Sequence, residues 1–349
     1  VPTLTESGRH LTLELEFPGR VLKVRVWTAQ AGHITLYLLD TNIPDNSEAD
    51  RAITHQLYGG DREMRLQQEL VLGVGGVRAL RALGLRPTVW HINEGHAAFQ
   101  LLERCAFRMR EGLDFHSAIE LVASGTVFTT HTPVAAGHDI FDEALVARYL
   151  SGVATSLGLD FEQLYTLGLN TGRGFNMTCL ALRLSRFHNG VSRIHGDVAA
   201  KMEASLWPQI PHQENPITYV TNGVHLETFL AREWISLFDL RFDDWRNELL
   251  NEEYWERLDE IPDYHFWSIH KALKQQLMIS VRDILVAQQR RNNSSDAIVQ
   301  RMLRLVDDTD KDVLVMGFAR RFATYKRALL LFADPPRLAK LLNDPERPV

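Results

Sequence analysis

The sequence predicts an α/β fold built on a mainly parallel sheet, followed by a helical stretch and the opening of a second α/β unit. Three observations carry this. Residues 88–130 run in a strand–helix–helix–strand rhythm, which calls for helical crossovers between parallel strands. Residues 231–308 hold four tryptophans among many charges and no good strand candidate. Residues 313–316 are again a short apolar run, followed by a basic turn and a helical pattern.

The elements follow in order. Leu11, Leu13, Leu15 and Phe17 alternate on one face of a strand, and Val21, Val24 and Val26 on the next, with Pro18-Gly19 as the turn. Residues 34–39 are nearly continuous in apolar character, which predicts a strand buried on both faces. Residues 40–50 are polar and loop-like. From Arg62, apolar and glycine positions at 66, 70, 73, 77, 80 and 84 recur at helical spacing. The cluster Gly73-Val74-Gly75-Gly76 lies inside that helix. It lacks dinucleotide-loop spacing and follows no strand, so it reads as close helix packing. Strands are then expected at 88–92, 126–130 and 217–220. Helices are expected from Gly95 past Leu102, and over 115–123, 142–150 and 161–167. The domain reading is 1–230, a helical connector at 231–311, and 312–349 as the start of a further α/β domain. Both ends of the chain read as cut from something longer.

Composition narrows the function. With 38 basic and 44 acidic residues the net charge is −6, against nucleic acid as the default partner. No apolar run approaches the ~18–20 residues of a membrane span, and no basic-then-apolar segment opens the chain. Two cysteines, Cys105 and Cys179, cannot make a disulfide framework or a four-cysteine zinc site. A reducing, cytoplasmic location is the simplest expectation.

In open parallel sheets, ligands bind beyond the carboxyl ends of the strands. That rule selects Asn93-Glu94-Gly95-His96, His131-Thr132-Pro133, Thr221-Asn222-Gly223 and Gly317-Phe318-Ala319-Arg320-Arg321, with Tyr325-Lys326-Arg327 just beyond. Each alone is as good a turn or helix cap as a site. Together their chemistry is coherent. Amides and imidazoles suit sugar hydroxyls, and the later guanidinium and ammonium groups suit phosphate near a helix start. His188 and His195 are set aside as a metal pair, because they stand seven apart across an Asn-Gly turn with no accompanying cysteine or carboxylate pattern. No metal site is expected. Serine-hydrolase and P-loop readings have no motif behind them.

Seven segments stand in order along the chain: Tyr58-Gly-Gly-Asp-Arg-Glu-Met-Arg-Leu-Gln-Gln-Glu69, His91-Ile-Asn-Glu-Gly-His-Ala-Ala-Phe99, Phe128-Thr-Thr-His-Thr-Pro-Val134 and Gly137-His-Asp139, then His188-Asn-Gly-Val-Ser-Arg-Ile-His195, Tyr219-Val-Thr-Asn-Gly-Val224 and Gly317-Phe-Ala-Arg-Arg-Phe-Ala-Thr-Tyr-Lys-Arg327. Together they resemble the α-glucan (glycogen, starch or maltodextrin) phosphorylase family, in its shorter bacterial and archaeal branch.

The resemblance implies a GT-B arrangement of two Rossmann-like domains, with the later part of the first and the start of the second present here. It implies retaining phosphorolysis of terminal α-1,4-glucosyl units to glucose 1-phosphate, dependent on pyridoxal phosphate. By residue, it implies that His131 contacts the transferred glucosyl unit and that Asn222 shares the sugar's primary hydroxyl. Glu94 and His96 would line the sugar site, although animal relatives carry Asp where Glu94 stands. The Val191 backbone would face the sugar and Tyr325 would lie over it. Arg321 and Lys326 would hold the substrate phosphate, and Arg320 would stand near the cofactor phosphate. None of the seven lysines sits in a context like the family's cofactor lysine. The implied partners are a glucan or maltodextrin and inorganic phosphate, with a homo-oligomer open and neither nucleic acid nor membrane expected. Two alternatives stay open. One is a GT-B glycogen or starch synthase using a nucleotide sugar. The other is a non-catalytic glucan-binding subunit. The chain alone is expected to be inactive.

Overall fold

A computed structural model describes residues 1–5, 7–57, 59–170, 174–304, 306, 314–320, 322 and 326–344. The expected site residues Arg321 and Tyr325 lie outside the described residues, as does Val313. The chain divides into two compact units, Val1–Asn222 and Gly223–Val349.

The first unit opens with an antiparallel meander of β1 (Thr12–Phe17), β2 (Arg20–Ala31) and β3 (Ile34–Asp40). Leu15 pairs with Leu22 and Leu13 with Val24, so the period of two buries Leu13, Leu15, Phe17, Leu22, Val24 and Val26 together. Val21, expected to face inward with Val24, is one residue out of phase and is exposed. The expectation of a doubly buried third strand also fails. Ile34, Leu36 and Leu38 are exposed, and only the other face, with Tyr37 and Leu39, packs on the core. β3 is the edge of its sheet, and an apolar run reports burial only where a layer covers both faces.

The helical run after Arg62 is interrupted by a π turn at Val71–Gly75, between helices Arg62–Leu70 and Gly76–Ala82. The glycines permit close packing here. A Cβ on Gly73 would lie 2.9 Å from the backbone nitrogen of Gln100 and from Cβ of Phe99.

The parallel sheet comprises β4 (Trp90–Asn93), β5 (Thr126–Thr129), β8 (Phe187–Gly190) and β9 (Ile217–Tyr219), in that spatial order. Every neighbouring pair is parallel. A short antiparallel pair, β6 (Ile140–Phe141) with β7 (Phe175–Asn176), lies between β5 and β8 in the chain. Helices Phe99–Arg110 and Phe115–Ser124 connect β4 to β5, and Arg193–Met202 connects β8 to β9. Their starts are chemically marked. Asp114, Asp142, Asp160, Asn176 and Ser192 each accept a backbone N–H of the helix they precede, and Asp160 with Gln163 forms a capping box. Ile92, Phe99, Leu101, Phe128, Phe141 and Phe175 fill the core between sheet and helices. β8 was not expected from sequence: Phe-His-Asn-Gly lacks the apolar signature of a central strand.

The second unit is helical, with no strand among its described residues. Its core is small, formed by Leu237, Phe242, Trp245 and Ile261 with Trp234, Phe238 and Trp255 around them. The 29-residue helix Asp263–Arg291 buries only Gln289. Leu314, Val315 and Met316, expected to begin a buried strand, are exposed and without regular structure. A strand needs a neighbour to take its N–H and C=O groups, and no strand pairs with this segment among the described residues. Among the described residues, no helix is long and apolar enough to cross a membrane.

Candidate functional site

Parallel pairing brings the carboxyl ends of β4, β5, β8 and β9 to one edge of the sheet. The residues that follow those ends are tied to one another. Glu94 donates its backbone N–H to the Thr129 carbonyl at 2.9 Å. Its Oε1 accepts the backbone N–H of His131 and, at 3.0 Å, the hydroxyl of Thr132. The Thr132 carbonyl lies 3.2 Å from His195 Nε2. His195 Nδ1 accepts the Val191 N–H at 3.2 Å, so the ring's hydrogen is on Nε2 and donates to Thr132. The Val191 carbonyl accepts the Asn222 N–H at 3.3 Å. One hydrogen-bonded path thus runs across all four strand ends, through Glu94, His131, Val191 and Asn222. The His131 and Asn222 side chains are left at the exposed rim.

Two local features make this path. Ser192 caps the helix Arg193–Met202 and sets His195 one turn in, facing back to Val191. Gly190 and Gly196 then let that helix approach the sheet. A Cβ on Gly190 would lie 2.8 Å from the Gly196 nitrogen, and one on Gly196 2.8 Å from the Thr218 carbonyl. The other feature is strain. Glu94 adopts φ 63° and ψ 179°, a region that costs a residue with a side chain about 1–3 kcal/mol. The conformation puts its carboxylate across the strand end under the β5 loop.

His96 sits on the turn after Glu94, backed by groups that the sequence reading did not assign to a site. Arg65 is the hub. Its Nη2 lies 2.5 Å from His96 Nδ1 and 2.9 Å from Asp139 Oδ2, and its Nε lies 3.2 Å from Glu69 Oε1. His96 Nδ1 is 3.4 Å from Asp139 Oδ2 and 3.9 Å from Glu69 Oε1. The Glu69 side chain is only 1% exposed, and neither of its oxygens has a well-aligned hydrogen-bond donor. Burial accordingly pushes Glu69 up to about 8. Asp139 goes the other way: His96 and Arg65 outweigh its own desolvation and hold it well below the carboxylate range. Asp139 and Glu69 raise His96 to about 9. Glu69, His96 and Asp139 have the spacing of a cation site, all within 4.8 Å. The Arg65 guanidinium bonds to the same atoms and supplies the positive charge there. Next to Asp139, His138 Nδ1 stands 3.6 Å from Glu203 Oε1, both side chains buried. Burial lifts Glu203 to about 7 and lowers His138. Arg65, Glu69 and Asp139 were visible in the sequence only as parts of the segments 58–69 and 137–139, as was His195 at the end of 188–195.

His188 and His195 do not make a metal pair. His188 is buried in β8, and its Nε2 faces the Leu182 and Ser185 carbonyls at 3.0 and 2.9 Å. His195 is engaged as described. In the second unit, Arg320 is exposed in a segment without regular structure, and Lys326 is half-buried, two residues before the short 3-10 turn Ala328–Phe332.

Relatives match the chain over nearly its full length. It is 40% identical to the maltodextrin phosphorylase of Thermococcus litoralis over 349 residues, all of this chain and 41% of that protein. It is 41% identical to the glycogen phosphorylase of Mycobacterium tuberculosis over 343 residues, 94% of this chain and 39% of that one. The chain belongs to the glucan phosphorylase family. A third phosphorylase, the glycogen phosphorylase of Aquifex aeolicus, is 35% identical over 350 residues, 99% of this chain and 50% of its own. The chain therefore spans about 40–50% of the length of these phosphorylase relatives. No protein-family model matches it.

Proposed function

We propose that the protein to which this phosphorylase segment belongs is an α-1,4-glucan phosphorylase, releasing terminal glucosyl units as glucose 1-phosphate with retention of configuration. The observation that carries this is the hydrogen-bonded path over four strand ends, with His131, Asn222 and the Val191 backbone on it. It lies in a chain 35–41% identical to proteins named as maltodextrin and glycogen phosphorylases. In this reading the edge is the glucosyl site. His131 and Asn222 take the sugar hydroxyls, and Glu94 and His96 line the site. Tyr325 covers the sugar, and Arg321 and Lys326 hold phosphate. The full protein takes the GT-B arrangement of two Rossmann-like domains, the first ending near 230 and the second beginning near 312, with a helical connector at 231–311.

The chemistry asks for this division of labour. Cleavage passes through an oxocarbenium-like state beside phosphate. Neutral donors and acceptors orient the sugar, while cations place the phosphate without removing its charge. Positioning and preorganised dipoles then supply most of the rate. Pyridoxal phosphate, when bound, would supply a phosphate group that shares a proton with the substrate phosphate. Arg320 is the group here assigned to it. One guanidinium in an exposed segment is not a pocket for a phosphate-bearing ring, so the described residues do not by themselves fit the cofactor and no step depends on it here. A cytoplasmic enzyme, acting on glucan and inorganic phosphate, follows from the same reading.

The test is to incubate the full-length protein with maltodextrin and pyridoxal phosphate, with and without inorganic phosphate. Glucose 1-phosphate that forms only with phosphate is expected. Glucan elongation from a nucleotide sugar, without phosphorolysis, would instead make the protein a synthase.

A further inference from the structure

The His195 ring is engaged at both nitrogens. Nδ1 accepts the Val191 N–H and Nε2 donates to the Thr132 carbonyl, each at 3.2 Å. Only the neutral ring with its hydrogen on Nε2 makes both bonds. A hydrogen on Nδ1, in the other tautomer or in the charged ring, would be set against the Val191 N–H. The ring is also fixed from its own side. Ser192 Oγ accepts the His195 backbone N–H at 3.1 Å. Gly190 leaves the space the ring occupies, since a Cβ there would lie 2.8 Å from Nδ1.

The ring joins segments that follow different strands. Thr132 belongs to the His131 turn after β5, and Val191 follows β8. From the β4 side, Glu94 holds that turn through the His131 N–H and the Thr132 hydroxyl. Among the described residues, backbone pairing between β5 and β8 runs no further than the Thr130 N–H on the Asn189 carbonyl, at 3.0 Å. Beyond that point His195 holds the turn from the β8 side. The same ring fixes Val191, whose carbonyl takes the Asn222 N–H at 3.3 Å. One side chain thus sets the His131 turn against the Asn222 turn.

We propose that His195 is a positioning residue of the glucosyl site, acting through His131 and Asn222 on the primary hydroxyl of the transferred sugar. The ring state and the bridge rest on the geometry alone; the hydroxyl rests on the glucosyl-site reading above. Removing the ring loosens the two turns that share this hydroxyl. A sugar that lacks the hydroxyl has little to lose by it.

The experiment has two arms. In the first, the 349-residue chain is labelled with 15N-histidine, and His195 is assigned from the signals lost in H195N. At pH 8 it should show a bare Nδ1 and a protonated Nε2. A hydrogen on Nδ1 overturns the proposal, independently of the reaction catalysed. In the second, full-length enzyme is assayed in the synthesis direction with glucose 1-phosphate and with 6-deoxyglucose 1-phosphate. H195A should lower kcat/KM for glucose 1-phosphate about a hundredfold, about tenfold for each hydrogen bond of the bridge. With the deoxy sugar the same variant should lose about threefold or less, read as kcat/KM or, where turnover is too slow, as Ki against glucose 1-phosphate. H195N places an oxygen where Nδ1 stands and reaches only Val191, so it should lose about tenfold with glucose 1-phosphate. It decides by the same comparison should H195A fail to fold. Losses of equal size with both sugars would make the role merely structural and overturn the proposal. A wild-type enzyme that does not use glucose 1-phosphate would instead remove the phosphorylase reading and leave the first arm to judge the bridge.

Discussion

Glu69 is a carboxyl group kept where ionisation is costly, and its titration is readable as stability. The unfolded chain releases this proton near pH 4.3, whereas the folded chain holds it to about 8. Between those values the native state binds the extra proton, so stability falls as pH rises. His96 adds the same sign: its unfolded value is near 6.5 and its folded value about 9, so the stability it contributes is lost as pH climbs through 9. Glu203 acts likewise up to about 7. His138, lowered by burial, has the opposite sign, but its influence ends near its unfolded value of about 6.5. From pH 7 to 9 the remaining effects point one way. The denaturation midpoint in urea should drop across that window, and Glu69→Gln should flatten the drop between 7 and 8. An unchanged pH slope in the variant would mean that Glu69 ionises freely.

At the level of elements, helix Arg193–Met202 depends on two glycines for its distance from the sheet. A methyl group on Gly196 meets the Thr218 carbonyl, which is held in β9 and cannot yield as a side chain would. Gly196→Ala should cost about 1–3 kcal/mol, measured as a lower urea midpoint at unchanged slope. The variant should also weaken the site, because the same helix carries His195. These elements were unequally legible. The strands beginning near 90, 126 and 217 announced themselves by apolar runs between turn residues. β8 did not, because its middle positions are polar: His188 bonds through Nε2 to the Leu182 and Ser185 carbonyls, and Asn189 Oδ1 accepts the Thr129 hydroxyl. The exposed face of β3 misled for the reverse reason: apolar residues state what a strand prefers, not whether anything lies over it. Three of the four segments read as strand ends, those after residues 92, 130 and 220, do follow strands of the parallel sheet, because topology fixes where such strands end; the fourth, 317–321, follows no strand among the described residues. Arg65, Glu69 and Asp139 were not readable as a site, because their meeting depends on helix phase and loop path, which no local spacing encodes.

For the molecule as a whole, the two units differ in what holds them. The first has an extended core running from Leu11 to Ile217; the second relies on one aromatic cluster around Trp245. Two transitions on heating are expected rather than one. Tryptophan fluorescence, with Trp234, Trp245, Trp255 and Trp267 in the second unit, should report the earlier. Both cysteines are buried in the first unit, with their thiols pushed up to about 12 by desolvation. Thiol labelling should therefore follow the later transition. Coincident curves by the two probes would show a single cooperative unit.

The backbone at Glu94 has a further consequence, for how such a protein can change under selection. Its conformation suits glycine, so a screen that rewarded heat resistance alone would favour Glu94→Gly. That substitution would also remove the carboxylate that joins the ends of β4 and β5. On the proposed glucosyl-site reading, robustness and activity are thus set against each other at one codon.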